Sequence, residues 1–350
     1  AKSIFDVIEK ASRYSFNLSH SVEYSKISYI TAYLKIHQPL LFFTAWLRMA
    51  DEKQDKYEEI YKLVMEARRF GVNVLPPDIR KSDLTFKKEG KKNIRYGLVD
   101  IKEVGESHAK NIISIPKNRL NNWVNFLVYD LYKLNIKASK ALIESGALDF
   151  FGLSRKKMLY ELDKIKELTE NIEWEFAKKT LETNNFDSIG DLLYHIAPTK
   201  KNGGGTSNKN RSEIISGLSL LCKNPAYSLK DSTDWICDVE ERRLGVAITK
   251  NRVDLYHSDL TTTSCLDIIN EKVDTKKKHT IIISLFKVFS YKTKKGDYMA
   301  FCGGTDGSSI LEDIVVFTKQ WEKYKDFLQT GSTVLLCGKI DNNGSFIVDS

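Results

Sequence analysis

Long apolar runs are missing from this sequence: none approaches the roughly 20 residues needed to cross a bilayer, so no membrane partner is expected. The opening stretch Ala1–Lys10 is amphipathic and has no signal-peptide core, which argues against secretion. Cysteine is sparse. Five residues (Cys222, Cys237, Cys265, Cys302, Cys337) are spread through 350, with no C-x-x-C and no nearby histidine pair. That pattern argues against a zinc site and fits reduced thiols in the cytoplasm. Also absent are a phosphate-cradling G-x-x-x-x-G-K-[ST], a serine elbow and an HExxH zinc motif. No two carboxylates are framed by strands as a two-metal centre requires. No catalytic residue and no metal ligand is therefore assigned.

What is present describes an ordinary globular chain, 42% hydrophobic and 29% charged, long enough for two or three cores. A net charge of +8 suits a partner with a phosphate backbone, although many basic proteins never meet nucleic acid. The predicted fold is α+β and multidomain. A helical region spans 1–80 and a tandem helix-hairpin-helix region 81–160. A helical connector covers 161–275, with a flexible linker or an exposed loop at 198–211 (KKNGGGTSNKNR at its heart). An OB-fold barrel fills 276–350, where β-prone runs at 279–291, 298–305, 309–317 and 333–340 flank a short helix at 319–328. A strand is also expected at Asn93–Leu98. The chain starts at Ala1 in what reads as mid-domain, as a fragment, a processed product or a split-gene subunit would.

Three constellations carry functional weight. Val99–Ile113 (VDIKEVGESHAKNII) reads as a helix-hairpin-helix whose tight turn, at Val104 and Gly105, offers backbone N–H groups to a DNA phosphate, with Lys110 nearby. Glu103 stands where the hairpin's first glycine is usual, and a plain helical hairpin is the alternative. A poorer second copy runs from Leu134 to Leu148. In the barrel, Phe286, Phe289, Tyr291, Tyr298 and Phe301 are candidates for base stacking, beside Lys287, Lys292, Lys294 and Lys295. Strand alternation must bury about half of these rings. Tyr291 and the turn Lys292–Lys295 are the favoured single-strand contacts. The acids Asp231, Asp234, Asp238 and Glu240 read as a solvated helix face.

Taken in order, several blocks resemble the alpha subunit of bacterial DNA polymerase III, the C-family replicative polymerase. SFNLSHSVEYSKISYITAYLKIHQPLLFF resembles its fingers segment and EARRFGVNVLPPDI the block that follows. IRYGLVDIKEVGE and KALIESGALDFFG resemble the start and end of its tandem hairpins. EERRLGVAIT and KTKKGDYMAFCGGTDGSSILEDIVVF resemble the approach to the OB-fold and the OB-fold itself. The resemblance implies that His20 contacts the incoming nucleotide, while the family's neighbouring lysine is Leu18 here. It also implies sliding-clamp docking through Leu218, Leu220 and Leu221 after Gly217. An amphipathic turn explains that segment equally well. The palm and its metal-binding aspartates would lie on another segment, so Mg2+ is expected only with that palm and this chain alone should not polymerise DNA. The implied partners are primer-template DNA, single-stranded DNA, a palm-containing polymerase segment and the clamp. The expected location is the cytoplasm, at the nucleoid or in a viral replication complex. A stand-alone DNA-binding or scaffold remnant with no role in synthesis is the alternative.

Overall fold

Helical periodicity and capping chemistry account for the first half of the chain. A computed structural model describes residues 2–12, 18–256, 259–294 and 296–350. Its leading helices are α1 (Lys2–Ser12), α2 (Leu18–His37), α3 (Pro39–Arg48) and α4 (Lys56–Arg69). Pro39 opens α3, where a missing N–H costs nothing. Asp55 caps α4 by accepting from the N–H groups of Tyr57 and Glu58, both at 3.0 Å. Ile60, Leu63, Val64 and Ala67 of α4 pack with Phe43 and Leu47 of α3 in the main core. The first two helices differ. Ile4, Phe5, Val7 and Ile8 of α1, with Val22, Ile27, Tyr29, Ile30 and Tyr33 of α2, stand exposed.

A small sheet follows, built from β1 (Asn73–Leu75), β2 (Lys87–Glu89) and β3 (Asn93–Arg95) in the order β1-β3-β2. The strand expected over 93–98 stops at Arg95, and Tyr96 and Leu98 turn into the core. Helices α5 (Glu106–Ile113), α6 (Trp123–Tyr129), α7 (Ile136–Glu144), α8 (Arg155–Ile165), α9 (Asn171–Thr183), α10 (Ile189–Ile196), α11 (Lys209–Lys223) and α12 (Thr233–Leu244) complete the body. A single contiguous core runs from Phe43 to Val246, across the positions 80 and 160.

The segment 198–211 is not an extended linker. Thr199 and Thr206 pair, the buried Thr206 hydroxyl donates to the Ala197 carbonyl at 3.0 Å, and Arg211 chelates the buried Glu173. The glycines serve close approach instead: a Cβ on Gly204 would lie 1.9 Å from the Pro198 oxygen, and one on Gly205 2.6 Å from the Phe176 ring. Of the acids read as a solvated helix face, Asp234 and Asp238 are exposed, but Glu240 is not. Glu240 is fully buried, pairs with Arg155 at 2.8 Å and accepts from the Ile248 and Thr249 N–H groups at 2.7 and 2.9 Å. Asp231 accepts from the first N–H groups of α8, those of Arg155 and Lys156, while Asp238 pairs with Arg252.

The last part closes into a barrel: β4 (His279–Lys292), β5 (Tyr298–Thr305), β6 (Ile310–Val316), β7 (Thr333–Ile340) and β8 (Phe346–Val348), in the order β4-β5-β6-β8-β7. One helix, α14 (Thr318–Tyr324), sits between β6 and β7, the position expected for an OB-fold. A second core fills the barrel, with α13 (Cys265–Ile269) packed against it. Several contacts among the described residues seat the barrel on the body. Arg68 donates to the Gly307 carbonyl at 2.7 Å, Asn251 donates to the Asp306 carbonyl, and the Tyr61 and Phe286 rings meet edge-on at 5.9 Å.

Candidate nucleic-acid interface

The first hairpin is built by turns. Residues 99–103, expected to begin a helix, form successive turns because Ile101 and Val104 must both reach the core while Lys102 N–H is held by the Arg243 carbonyl at 2.9 Å. Closing that turn forces Glu103 to φ +75°, the left-handed region that disfavours a side chain with Cβ. This is the position where a glycine is usual. Gly105 then caps α5 in extended conformation (φ −74°, ψ 164°) with no side-chain cap, so the first N–H groups of α5 have no acceptor from that residue. A Cβ on Gly105 would meet nothing closer than His108 Nδ1 at 3.9 Å. The glycine is thus not demanded by internal packing, and the backbone stays open to an outside group. Val104 is buried and fixes the turn. Lys110 is exposed one turn further along and pairs with Glu106 at 2.6 Å, an i,i+4 contact of small energetic worth.

The second hairpin lies alongside. Asn135 caps α7 by accepting from the Ala138 N–H at 2.7 Å, so this helix start, unlike that of α5, is already satisfied by its own side chain. Asn135 also meets His108 Nε2 at 3.3 Å. The two hairpins frame a cleft of about 330 Å³ whose polar walls include Ser107, Asn111, Arg119 and Lys133. Electrostatically the first turn is mixed. Burial, then the charges of Asp100 and Glu103, push the nearby Tyr57 hydroxyl up to about 12.

The barrel's first hairpin contains a bulge: Leu285 pairs with Gly304 but Lys287 with Gly303, leaving Phe286 as the extra residue. Beyond it, Phe289 faces Phe301, Tyr291 faces Met299 and Lys292 faces Tyr298. Tyr291 and Lys292 therefore point to opposite sides of the ribbon and do not form one patch. The Lys292 ammonium lies over the Tyr298 ring at 5.8 Å, Lys294 is exposed in the turn, and Lys295 lies outside the described residues.

The other sequence candidates fall elsewhere. His20 is exposed on α2 with its ring against Tyr24 at 4.4 Å. Gly217 to Leu221 are helical within α11. Leu218 is buried in the main core, and Ser219 donates to the Gly190 carbonyl at 2.7 Å, leaving Leu220 and Leu221 exposed. Among the described residues no three His, Cys, Asp or Glu side chains converge as a metal site, and no helix is long and apolar enough to cross a membrane.

A helical body with paired hairpins, carrying a five-stranded barrel, places this chain among multidomain helix-hairpin-helix proteins. A family described as "Helix-hairpin-helix motif" matches residues 71–158. The chain is homologous to a segment of DNA polymerase III subunit alpha. It is 30% identical over 345 residues to that protein from Aquifex aeolicus, covering 98% of this chain and 25% of the relative. It is 36% identical over 352 residues to the Thermus aquaticus protein (97% and 25%), and 28% identical over 346 residues to the Bacillus subtilis one (97% and 27%). The chain thus spans about a quarter of the length of the relatives it matches.

Proposed function

We propose that this chain is the DNA-handling part of a replicative polymerase. The observation that carries the reading is the collinear match across nearly the whole chain to proteins named DNA polymerase III subunit alpha. The hairpins hold the primer-template backbone: the open start of α5 at Val104 and Gly105 accepts a phosphate through backbone N–H groups, and Lys110 adds a cation. The barrel holds single-stranded template. His20, exposed on α2, contacts the incoming nucleotide, and Leu220 and Leu221 are the exposed pair available to a sliding clamp. The nucleotidyl-transfer chemistry belongs to a palm-bearing segment, which the uncovered apolar sides of α1 and α2 suit as a packing surface. Two-metal chemistry needs clustered acids. In this reading Mg2+ would be held by the palm segment. The work is done in the cytoplasm, at a replication complex.

A second reading, a stand-alone DNA-binding remnant, is favoured by one observation: Glu103 occupies the strained left-handed position of the first hairpin and sets a carboxylate beside the phosphate site.

Fluorescence anisotropy of labelled primer-template and single-stranded DNA, across a salt series, tests the proposal. Affinity should fall with log–log slopes of roughly −0.9 per phosphate contact on duplex and −0.7 on single strands. Lys294→Glu should reduce the single-strand slope. Absence of binding at low salt refutes both readings.

A further inference from the structure

We infer that the cavity between the helical body and the barrel binds a small organic anion with a ringed body, of the nucleoside monophosphate class, its anionic head held by Arg68. The site lies apart from the hairpins and from the outer strands of the barrel, and its role goes beyond the function proposed above.

The cavity measures about 580 Å³ and lies at the seam between two hydrophobic cores, a size and a place usual for small-molecule sites. Helix α4 contributes Tyr61 and Arg68 to its walls, the segment after α12 contributes Asn251 and Arg252, strand β4 contributes Phe286, and the approach to β7 contributes Thr330.

Arg68 is the exception among the arginines withdrawn from solvent. Arg95, Arg155, Arg211, Arg243 and Arg252 are each buried or half-buried, and each has a carboxylate oxygen within 2.7 Å. Arg68 is half-buried too, but among the described residues no carboxylate pairs with it. Its Nη1 donates to the neutral Gly307 carbonyl at 2.7 Å and lies 3.7 Å from the Met65 sulfur, which leaves Nε and Nη2 without an acceptor among the described residues. Burial lowers the Arg68 pKa, opposed by the neighbouring Tyr61 hydroxyl. That hydroxyl is itself buried with no hydrogen-bond partner among the described residues. A cation taken out of water without a counter-charge is costly. A carboxylate or phosphate from outside would relieve that cost, and the planar guanidinium suits either.

The formal charges around the cavity balance, so the attraction is local. Arg252 holds both Asp238 and Glu241, at 2.7 and 2.8 Å, which leaves that group one negative charge in surplus. Lys250 and Asp254 are exposed and opposite in sign. A bare inorganic anion gains the Arg68 contact alone. An anion that also carries amino or hydroxyl donors satisfies the Arg252 group as well. The Tyr61 and Phe286 rings, edge-on at 5.9 Å, add apolar surface for an aromatic body. Nucleoside monophosphates combine these three features. Because Arg68 also holds Gly307 of the barrel, an occupant stabilises the assembled seam.

Calorimetric titration of the full chain with deoxyadenosine monophosphate tests the site, with deoxyadenosine and inorganic phosphate as half-ligands. The nucleotide should bind at least roughly 10-fold more tightly than either half, and should raise the midpoint of thermal unfolding as its concentration rises. Arg68→Met, which keeps an apolar stem without the charge, should weaken the nucleotide by roughly 10- to 100-fold, the loss expected of a charged hydrogen bond. Thr330 is exposed, so Thr330→Glu should melt like the parent while its carboxylate competes for Arg68 and weakens the nucleotide to a similar degree. That variant keeps the test decisive if Arg68→Met unseats the barrel. A parent chain that does not bind the nucleotide, equal affinity for either half-ligand, or parental affinity in either folded variant overturns the inference. Primer-template binding is read separately, so the function proposed above can stand when this inference fails, and the reverse.

Discussion

Arg211 grips Glu173 through both carboxylate oxygens, at 2.8 and 2.7 Å, and Glu173 is wholly buried. The contact ties the start of α11 to α9 and makes the Gly-rich segment before it a fixed corner. Arg211→Ala leaves a buried carboxylate without its cation and should cost about 3–5 kcal/mol of stability. Replacing both partners by apolar residues, Glu173→Leu with Arg211→Met, should recover much of that. Urea denaturation of the three proteins checks both.

Glu103 adopts φ +75°. Glu103→Gly removes the Cβ clash at the expense of backbone entropy, for a net gain of up to ~1 kcal/mol. It also removes a carboxylate from the proposed phosphate site, so duplex affinity should rise. Glu103→Ala separates the effects: affinity should rise while thermal stability does not.

Gly97 is fixed by packing. A Cβ there would lie 2.4 Å from Asp100 Oδ2 and from the Thr85 backbone. Overpacking against backbone costs about 1–3 kcal/mol, so Gly97→Ala should lower the midpoint of thermal unfolding while leaving the barrel's circular dichroism signature intact.

Glu161 is buried against Trp123, whose indole N–H donates to it at 2.6 Å. Burial raises its pKa above the ordinary 4.5, only partly opposed by the Trp123 hydrogen bond and Lys157. A carboxyl that holds its proton more tightly when folded contributes stability below the unfolded value, and that contribution is lost as pH rises through the folded one. Glu161→Gln keeps an acceptor for the indole and carries no charge. The variant should therefore be more stable than the parent at neutral pH, with the two converging near and below pH 4. Chemical denaturation at several pH values measures the convergence.

The barrel was legible in the sequence because four β-prone runs, punctuated by KKGD and DNNG, carry their own period and turn chemistry. The first hairpin was legible at Gly105 but not before it, where the need to bury both Ile101 and Val104 overrode the helical pattern. The corner at 198–211 misled because glycine marks mobile chain and close backbone contact alike, and composition does not separate the two. Glu240 misled for a related reason: its partner Arg155 lies far away in sequence, so DVEERR shows no sign of it. Tyr291, Lys292 and Lys294 are exposed, as expected, with Tyr291 and Lys292 on opposite faces because they are neighbours in a strand.

The extra residue at Phe286 makes β4 a strand with two phases. Before it, Ile281, Ile283 and Leu285 fill the barrel; after it, the inward set moves to the even-numbered side, beginning with Val288. Side-chain direction beyond residue 286 thus depends on whether an even or odd number of residues precedes it in the strand. Losing the bulge by a one-residue deletion would turn Phe289 and Tyr291 into the barrel and Val288 out to water. A two-residue change would preserve the parity, so for this strand the length of an insertion matters more to the outer face than its composition.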